Sequence, residues 1–325
     1  MKKLVTILIL LSTFLFTGVG AQTSDNAIFY KISGHGLKKP SYILGSLHIM
    51  RGEKVSNIPG FEKIFKEVPQ VCFETDMDQD PSTTALGQGT QMPKSAQTAK
   101  LTPDQILLSN DSTYEIIIGK AKAEEIDSVM KIIFPNYVSN MRPEYASLIA
   151  QTMYSIQMLG LNQENVKQGF TPIDYYVHST AVKERKKVEM LEPFAVQDSI
   201  LKKMSLESQP VGTQTMSDRM NALYDFCHSY TGRIAMLSQL KKAYSEGRGI
   251  DVIDVLQNNK YSSGLTSGLM DVRKRNASWM QKIPQMIKKE PTLIVVGLAH
   301  LMKYKDSDGL ISDLRKLGYK VEPVK

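Results

Sequence analysis

Apolar residues follow two rhythms along this chain. Near both ends they come in short runs of strand length, at 27–32, 41–44 and 71–75 and again at 188–191, 293–296 and 319–324, which predicts six strands. Between these groups the spacing turns helical for most of two hundred residues. Leu148, Ile149, Thr152, Ile156 and Leu159 recur three and four apart, predicting a helix from Pro143 to Gly160. Thr102-Pro103-Asp104-Gln105 carries an N-cap, a first-turn proline and a capping-box glutamine, so another helix is expected to start there. Residues 79–100 are rich in Ser, Thr, Gln, Gly and Pro with almost no large apolar side chain, and read as a loop.

This arrangement predicts an α/β protein of mixed α+β character. Its central sheet is built from both chain ends, with a large helical insertion, about 101–285, packed around it. Because 188–191 returns to the sheet before the last helices, residues 22–325 are expected to form one domain.

Two of the strand-like runs end alike, in Gly45-Ser46-Leu47-His48 and Gly297-Leu298-Ala299-His300, so two of five histidines follow a strand glycine by three residues. Such strand ends are where α/β proteins place reactive side chains. Alternation along 70–76 sets Glu74 on one face with Cys72 and Asp76. If the three strands are parallel, Glu74 leaves the sheet on the same edge as both histidines. Two imidazoles and a carboxylate there could bind a first-row divalent ion, zinc included, and leave positions open for water and substrate. The alternative is a pair of helix-start histidines with Glu74 in a structural ion pair.

Further along, Val272, Trp279, Ile283 and Met286 form the apolar stripe of a helix, and Asn276 falls on that stripe. A buried amide must find partners, whether a ligand or backbone groups. The adjacent Arg275 could anchor a carboxylate or make a surface ion pair. Asp174, Glu192 and Gln197 could support a site or simply cap helices. His35 falls in the turn Ser33-Gly34-His35-Gly36, and His178 and His228 sit within helical stretches without an acidic partner at motif spacing.

Composition narrows the possible functions. The formal net charge is +7, but cationic residues alternate with acidic ones, as in 183–189, without a basic stripe interleaved with aromatics; nucleic acid is not an expected partner. Cys72 and Cys227, the two cysteines, are too few for a disulfide scaffold or a four-cysteine zinc site, and are expected unpaired. Lys2-Lys3, the apolar run 4–16 and Val19-Gly20-Ala21 have the three regions of a secretory signal, so residues 1–21 are expected to be cleaved and the protein to be periplasmic or secreted. No cysteine follows that site for lipid attachment. No later run reaches the roughly 18 apolar residues of a membrane span.

Taken together, 28–33, 41–48, Phe73-Glu74-Thr75-Asp76, Arg275-Asn276, 295–301 and 318–322 resemble the TraB/GumN family, which includes the Tiki proteases. The resemblance implies a fold shared with erythromycin esterase-like and ChaN-like proteins. It further implies a metal-dependent protease using manganese or cobalt, with His48, Glu74 and His300 as its site, Arg275 and Asn276 as the family's Arg-Asn pair, and a peptide or protein as substrate. One departure is the loop after the second histidine, 301–309, which lacks the Leu-Pro-Gly type turn common there. The expected function is thus an exported metal-dependent peptidase: His48 and His300 as ligands, Glu74 as third ligand or general base, and Arg275 with Asn276 holding substrate or oxyanion. Two alternatives stand beside it, a non-enzymatic haem-, iron- or peptide-binding protein and a metal-free esterase-like hydrolase using His48 and Glu74.

Overall fold

The structure, a computed structural model, describes residues 25–79, 102, 106–109, 111–161, 170–207, 214–262, 265 and 271–325. The expected leader at 1–21, residues 80–100 of the polar stretch and most of the expected helix start at 102–105 lie outside these residues.

The six expected strands all form, as β1 (Phe29–Gly34), β2 (Ser41–Ser46), β3 (Gln70–Phe73), β4 (Lys187–Met190), β5 (Thr292–Gly297) and β6 (Tyr319–Pro323). They make one mixed sheet in the order β4-β3-β5-β2-β1-β6. The pairs β4/β3, β3/β5 and β5/β2 are parallel, while β1 runs antiparallel to both β2 and β6. Strands β3 and β5 are buried at every position, as expected of inner parallel strands covered on both faces. Strands separated by more than two hundred residues therefore lie side by side, and β2, β3, β4 and β5 end on one common edge.

Helices fill the connections: α1 (Phe61–Glu67), α2 (Tyr114–Ile118), α3 (Lys120–Ile133), α4 (Pro143–Met158), α5 (Ile173–Lys183), α6 (Phe194–Glu207), α7 (Met216–Ser245), α8 (Gly249–Asn258), α9 (Val272–Trp279), α10 (Ile283–Lys289), α11 (Leu298–Leu301) and α12 (Leu310–Lys316). Helix α4 matches the spacing that predicted it, ending just before Gly160 in the left-handed region (φ 65°). The single helix expected across the stripe 272–286 is instead two, α9 and α10. Pro284 stands in the first turn of α10; with no N–H to give and a ring that clashes with the carbonyl four residues back, it ends one helix and starts the next.

The buried apolar residues form two clusters. The larger surrounds the sheet. The smaller lies within the helical insertion, drawing Ile126 and Met130 from α3, Ala146 and Ala150 from α4, and Met220, Leu223 and Cys227 from α7. Helix α7 joins them: its first half belongs to the smaller cluster, and Met236, Leu237, Leu240 and Tyr244 of its second half belong to the larger. A capping box at Thr215 and Asp218 starts this 30-residue helix, which at 1.5 Å per residue is about 45 Å long. Cys72 and Cys227 are buried and unpaired.

Glycine is required at one point of contact between sheet and helix. A Cβ on Gly45 of β2 would lie 2.4 Å from Leu298 Cδ1 and 3.1 Å from Leu298 Cα, so α11 rests on bare backbone here. Gly45→Ala is expected to destabilise the fold by about 1–3 kcal/mol, since overpacking must displace either β2 or α11. A chemical-denaturation midpoint equal to that of wild type would contradict this packing.

Candidate functional site

Along the common edge of the parallel strands, polar side chains meet around Arg275. This residue of α9 is 6% exposed, and its guanidinium reaches three elements at once. Nε donates to Glu192 Oε1 at 3.0 Å and Oε2 at 3.2 Å; Nη2 donates to Glu192 Oε1 at 2.6 Å, Glu74 Oε2 at 2.7 Å and Gln197 Oε1 at 3.4 Å. Glu74 follows β3 and Glu192 follows β4, two adjacent parallel strands, which is why both carboxylates reach one cation. The Trp279 ring, one turn along α9, lies 4.8 Å from the guanidinium carbon, and its Nε1 donates to Glu192 Oε2 at 2.9 Å.

A further partner of Arg275 is His300. Arg275 Nη1 lies 3.1 Å from His300 Nε2, and Asn276 Oδ1 lies 2.6 Å from His300 Nδ1. A guanidinium only donates, so Nε2 must accept. Nδ1 then carries the proton and gives it to Asn276. The amide is oriented by its other end, where Nδ2 donates to the His300 carbonyl at 3.0 Å and to Ser307 Oγ at 3.2 Å. With Trp279 against its ring (centroids 4.3 Å apart), His300 is a buried neutral imidazole, and burial pushes its pKa down to about 4 despite the nearby Glu74.

Glu74 shows the opposite balance. Burial alone would raise its pKa, but Arg275, His300 and the Gly297 N–H outweigh that and bring it to about 2. The Gly297 N–H donates to Glu74 Oε1 at 2.6 Å. A Cβ on Gly297 would stand 3.2 Å from that oxygen, so the second motif glycine provides both the donor and the room. For Arg275 too, burial works against the charge, and Glu74 and Glu192 restore it, leaving its pKa raised.

His48 has a different environment from its motif twin. In the β2/β5 register Ser46 pairs with Gly297, so Gly45 and Gly297 are one residue out of step, and alternation turns equivalent positions to opposite faces. The His48 side chain is 61% exposed, against 2% for His300. Its Nδ1 is 3.1 Å from Asp174 Oδ2, on the first turn of α5. The Asp174 charge raises the pKa of His48. Glu74 and Arg275 also act on the charge of His48. Asp174 Oδ1 is buried without a partner.

The five expected site residues thus stand on one edge. Glu74, Arg275, Asn276 and His300 form a continuous hydrogen-bonded group, and His48 stands beside it with Asp174. Asn276 spends both amide hydrogens on His300 and Ser307, so it positions His300 and has no donor left for a substrate. Glu192 and Gln197, weak signals in the sequence, touch Arg275 directly. His178 and His228, expected to have no acidic partner at motif spacing, stand near one in space: His228 Nδ1 is 2.8 Å from Glu125 Oε1, and His178 Nε2 is 4.0 Å from Asp78 Oδ1.

The expected metal ligands were His48, Glu74 and His300. Of these, His300 gives its free lone pair to Arg275, and Glu74 gives one oxygen to Arg275 and the other to Gly297. Among the described residues, no group of three or more His, Cys, Asp or Glu side chains is arranged to hold a metal ion. The donor set in this arrangement does not fit a divalent ion.

The model of the TraB/PrgY/gumN family matches residues 28–323. No curated protein and no solved structure matches the chain. A match over nearly the whole length shows that the chain belongs to the TraB/PrgY/gumN family.

Two pH effects follow from the histidines. The folded pKa of His300 is about 4, below the unfolded value of about 6.5. As pH falls between these values the unfolded chain binds a proton that the folded chain refuses, so stability drops across this window. His300→Gln should make the drop shallower; equal denaturation midpoints against pH for both proteins would contradict a buried neutral imidazole. For His48, Asp174→Asn should move its NMR titration downward toward the ordinary histidine value, and an unmoved titration would remove Asp174 as the cause.

Proposed function

Taking membership of the TraB/PrgY/gumN family as the premise, we propose that this protein is an exported hydrolase, acting on peptide bonds, whose chemistry is carried by side chains rather than by a bound metal ion. The observation that carries the reading is the pairing of a largely open imidazole, His48, with a buried carboxylate, Asp174, beside a charged group too tightly bonded to move. An imidazole held at one nitrogen by a carboxylate keeps its other nitrogen aimed outward as general base or acid, and the carboxylate stabilises the imidazolium that forms.

In this reading His48 is the catalytic residue. Its Nε2 takes the proton from the attacking water and returns it to the leaving amine. Asp174 holds the ring. Arg275 offsets the charges of Glu74 and Glu192 and keeps that edge rigid beside the reacting centre. Glu74, Glu192, Gln197 and Trp279 hold that guanidinium in place, and Asn276 and His300 complete the scaffold. The peptide substrate and the export expected from residues 1–21 belong to the same proposal; the first comes from the family resemblance, the second from the leader pattern. The manganese-, cobalt- or zinc-dependent version is set aside on the donor geometry, since two of its three ligands are engaged by Arg275.

Purified protein assayed on a peptide library and an ester panel, with EDTA and with added Mn²⁺, tests the proposal. Turnover should persist in EDTA and fall by about 10²–10⁴ in His48→Ala, the range for loss of a general acid–base group. Turnover only with Mn²⁺ would return the metal-dependent reading, and no turnover in either condition would remove the hydrolase.

A further inference from the structure

Arg275 stands where a metal ion would have to be. Two carboxylates and an imidazole lone pair, from Glu74, Glu192 and His300, converge on its guanidinium at 2.6–3.1 Å. That is the ligand chemistry of a borderline divalent ion such as Zn²⁺ or Co²⁺, with an organic cation at the centre. We propose that Arg275 is a resident cation that excludes a divalent ion, and that Glu74, Glu192 and His300 form a latent metal site which opens only when the guanidinium is removed. The consequence for catalysis rests on the side-chain chemistry proposed above; the exclusion itself does not.

Three features make the exclusion strong. A guanidinium cannot surrender its charge by losing a proton at any ordinary pH, so acidity gives a competing ion no opening. Its position is fixed from outside the donor set, by Trp279 stacked at 4.8 Å and Gln197 at 3.4 Å. The imidazole has no second orientation to offer, because Asn276 holds Nδ1 at 2.6 Å and thereby aims Nε2 at Arg275. Displacing the arginine would leave a charged group buried without partners, a heavy cost.

Once the arginine is gone, the donors must draw together to hold an ion. Glu74 Oε1 and His300 Nε2 are 4.0 Å apart, whereas two donors bound tetrahedrally at roughly 2.0–2.1 Å stand about 3.3 Å apart. Removal of Arg275 also leaves two buried carboxylates without a counter-charge, which a divalent ion would supply.

Trp279 is the single tryptophan of the chain, and its ring is 4.3 Å from that of His300, so its fluorescence reports cobalt at this site. Cobalt titrated into the wild-type protein should leave the fluorescence unchanged and show no stoichiometric heat by calorimetry. In Arg275→Met it should quench Trp279 with one-to-one stoichiometry, about tenfold or more tighter than any wild-type response (~1.4 kcal/mol). Adding His300→Gln to that variant should abolish the quenching. If Arg275→Met is unfolded without metal, cobalt should restore its circular dichroism and thermal transition. One-to-one binding by wild type that is lost in His300→Gln would overturn the proposal. So would an Arg275→Met protein that folds without binding cobalt, or that stays unfolded with it. Since the readout is binding, a chain inactive on every substrate leaves this result standing, and cobalt bound to wild-type His300 overturns it even in an active hydrolase.

Discussion

A single buried guanidinium holds the candidate site together. Arg275 ties the ends of two parallel strands, through Glu74 and Glu192, to a neutral imidazole on α11, the helix that follows a third. Each contact is charge-assisted or has its geometry fixed by another bond, so the group behaves as one rigid unit. The protonation states follow from this arrangement: Glu74 is held ionised and His300 neutral, although they are neighbours. A buried pair of carboxylates without Arg275 would repel, and a buried arginine without both would lack compensation.

The sheet order is what makes that meeting feasible. Strands β4, β3, β5 and β2 lie in parallel register and end on one edge, so residues from positions 48, 74, 192 and 297 onward emerge within side-chain reach. The two motif glycines serve this edge in different ways. Gly45 lets α11 lie on β2, while Gly297 donates to Glu74 and leaves space for its carboxylate. Helix α7 buttresses the same region from behind, where Tyr244 donates to the Gly45 carbonyl at 2.7 Å.

The twin motifs look equivalent in sequence and are not equivalent in space. The motif glycines are one residue out of step between β2 and β5, and beyond them His48 faces solvent and Asp174 while His300, in α11, is buried against Trp279. Register is a property of the paired strands, so no reading of either strand alone could reveal the offset. It divides the roles: one imidazole is open and paired with a carboxylate, the other is closed and locked to an amide.

The sequence by itself determined the local elements and the addresses of the site. Apolar rhythm placed all six strands and α4, the strand-end glycines marked His48 and His300, alternation drew attention to Glu74, and helical spacing turned Asn276 inward. These signals are legible because periodicity and turn chemistry act over a few residues. Tertiary structure alone decided the partners. That Arg275 would take Glu74, Glu192 and His300 together, and so occupy the lone pairs expected to bind a metal, depends on strands and a helix separated by up to two hundred residues. Asp174 became the partner of His48 for the same reason. Such contacts are set by how sheet and helices pack, which the spacing of residues within any one segment does not encode.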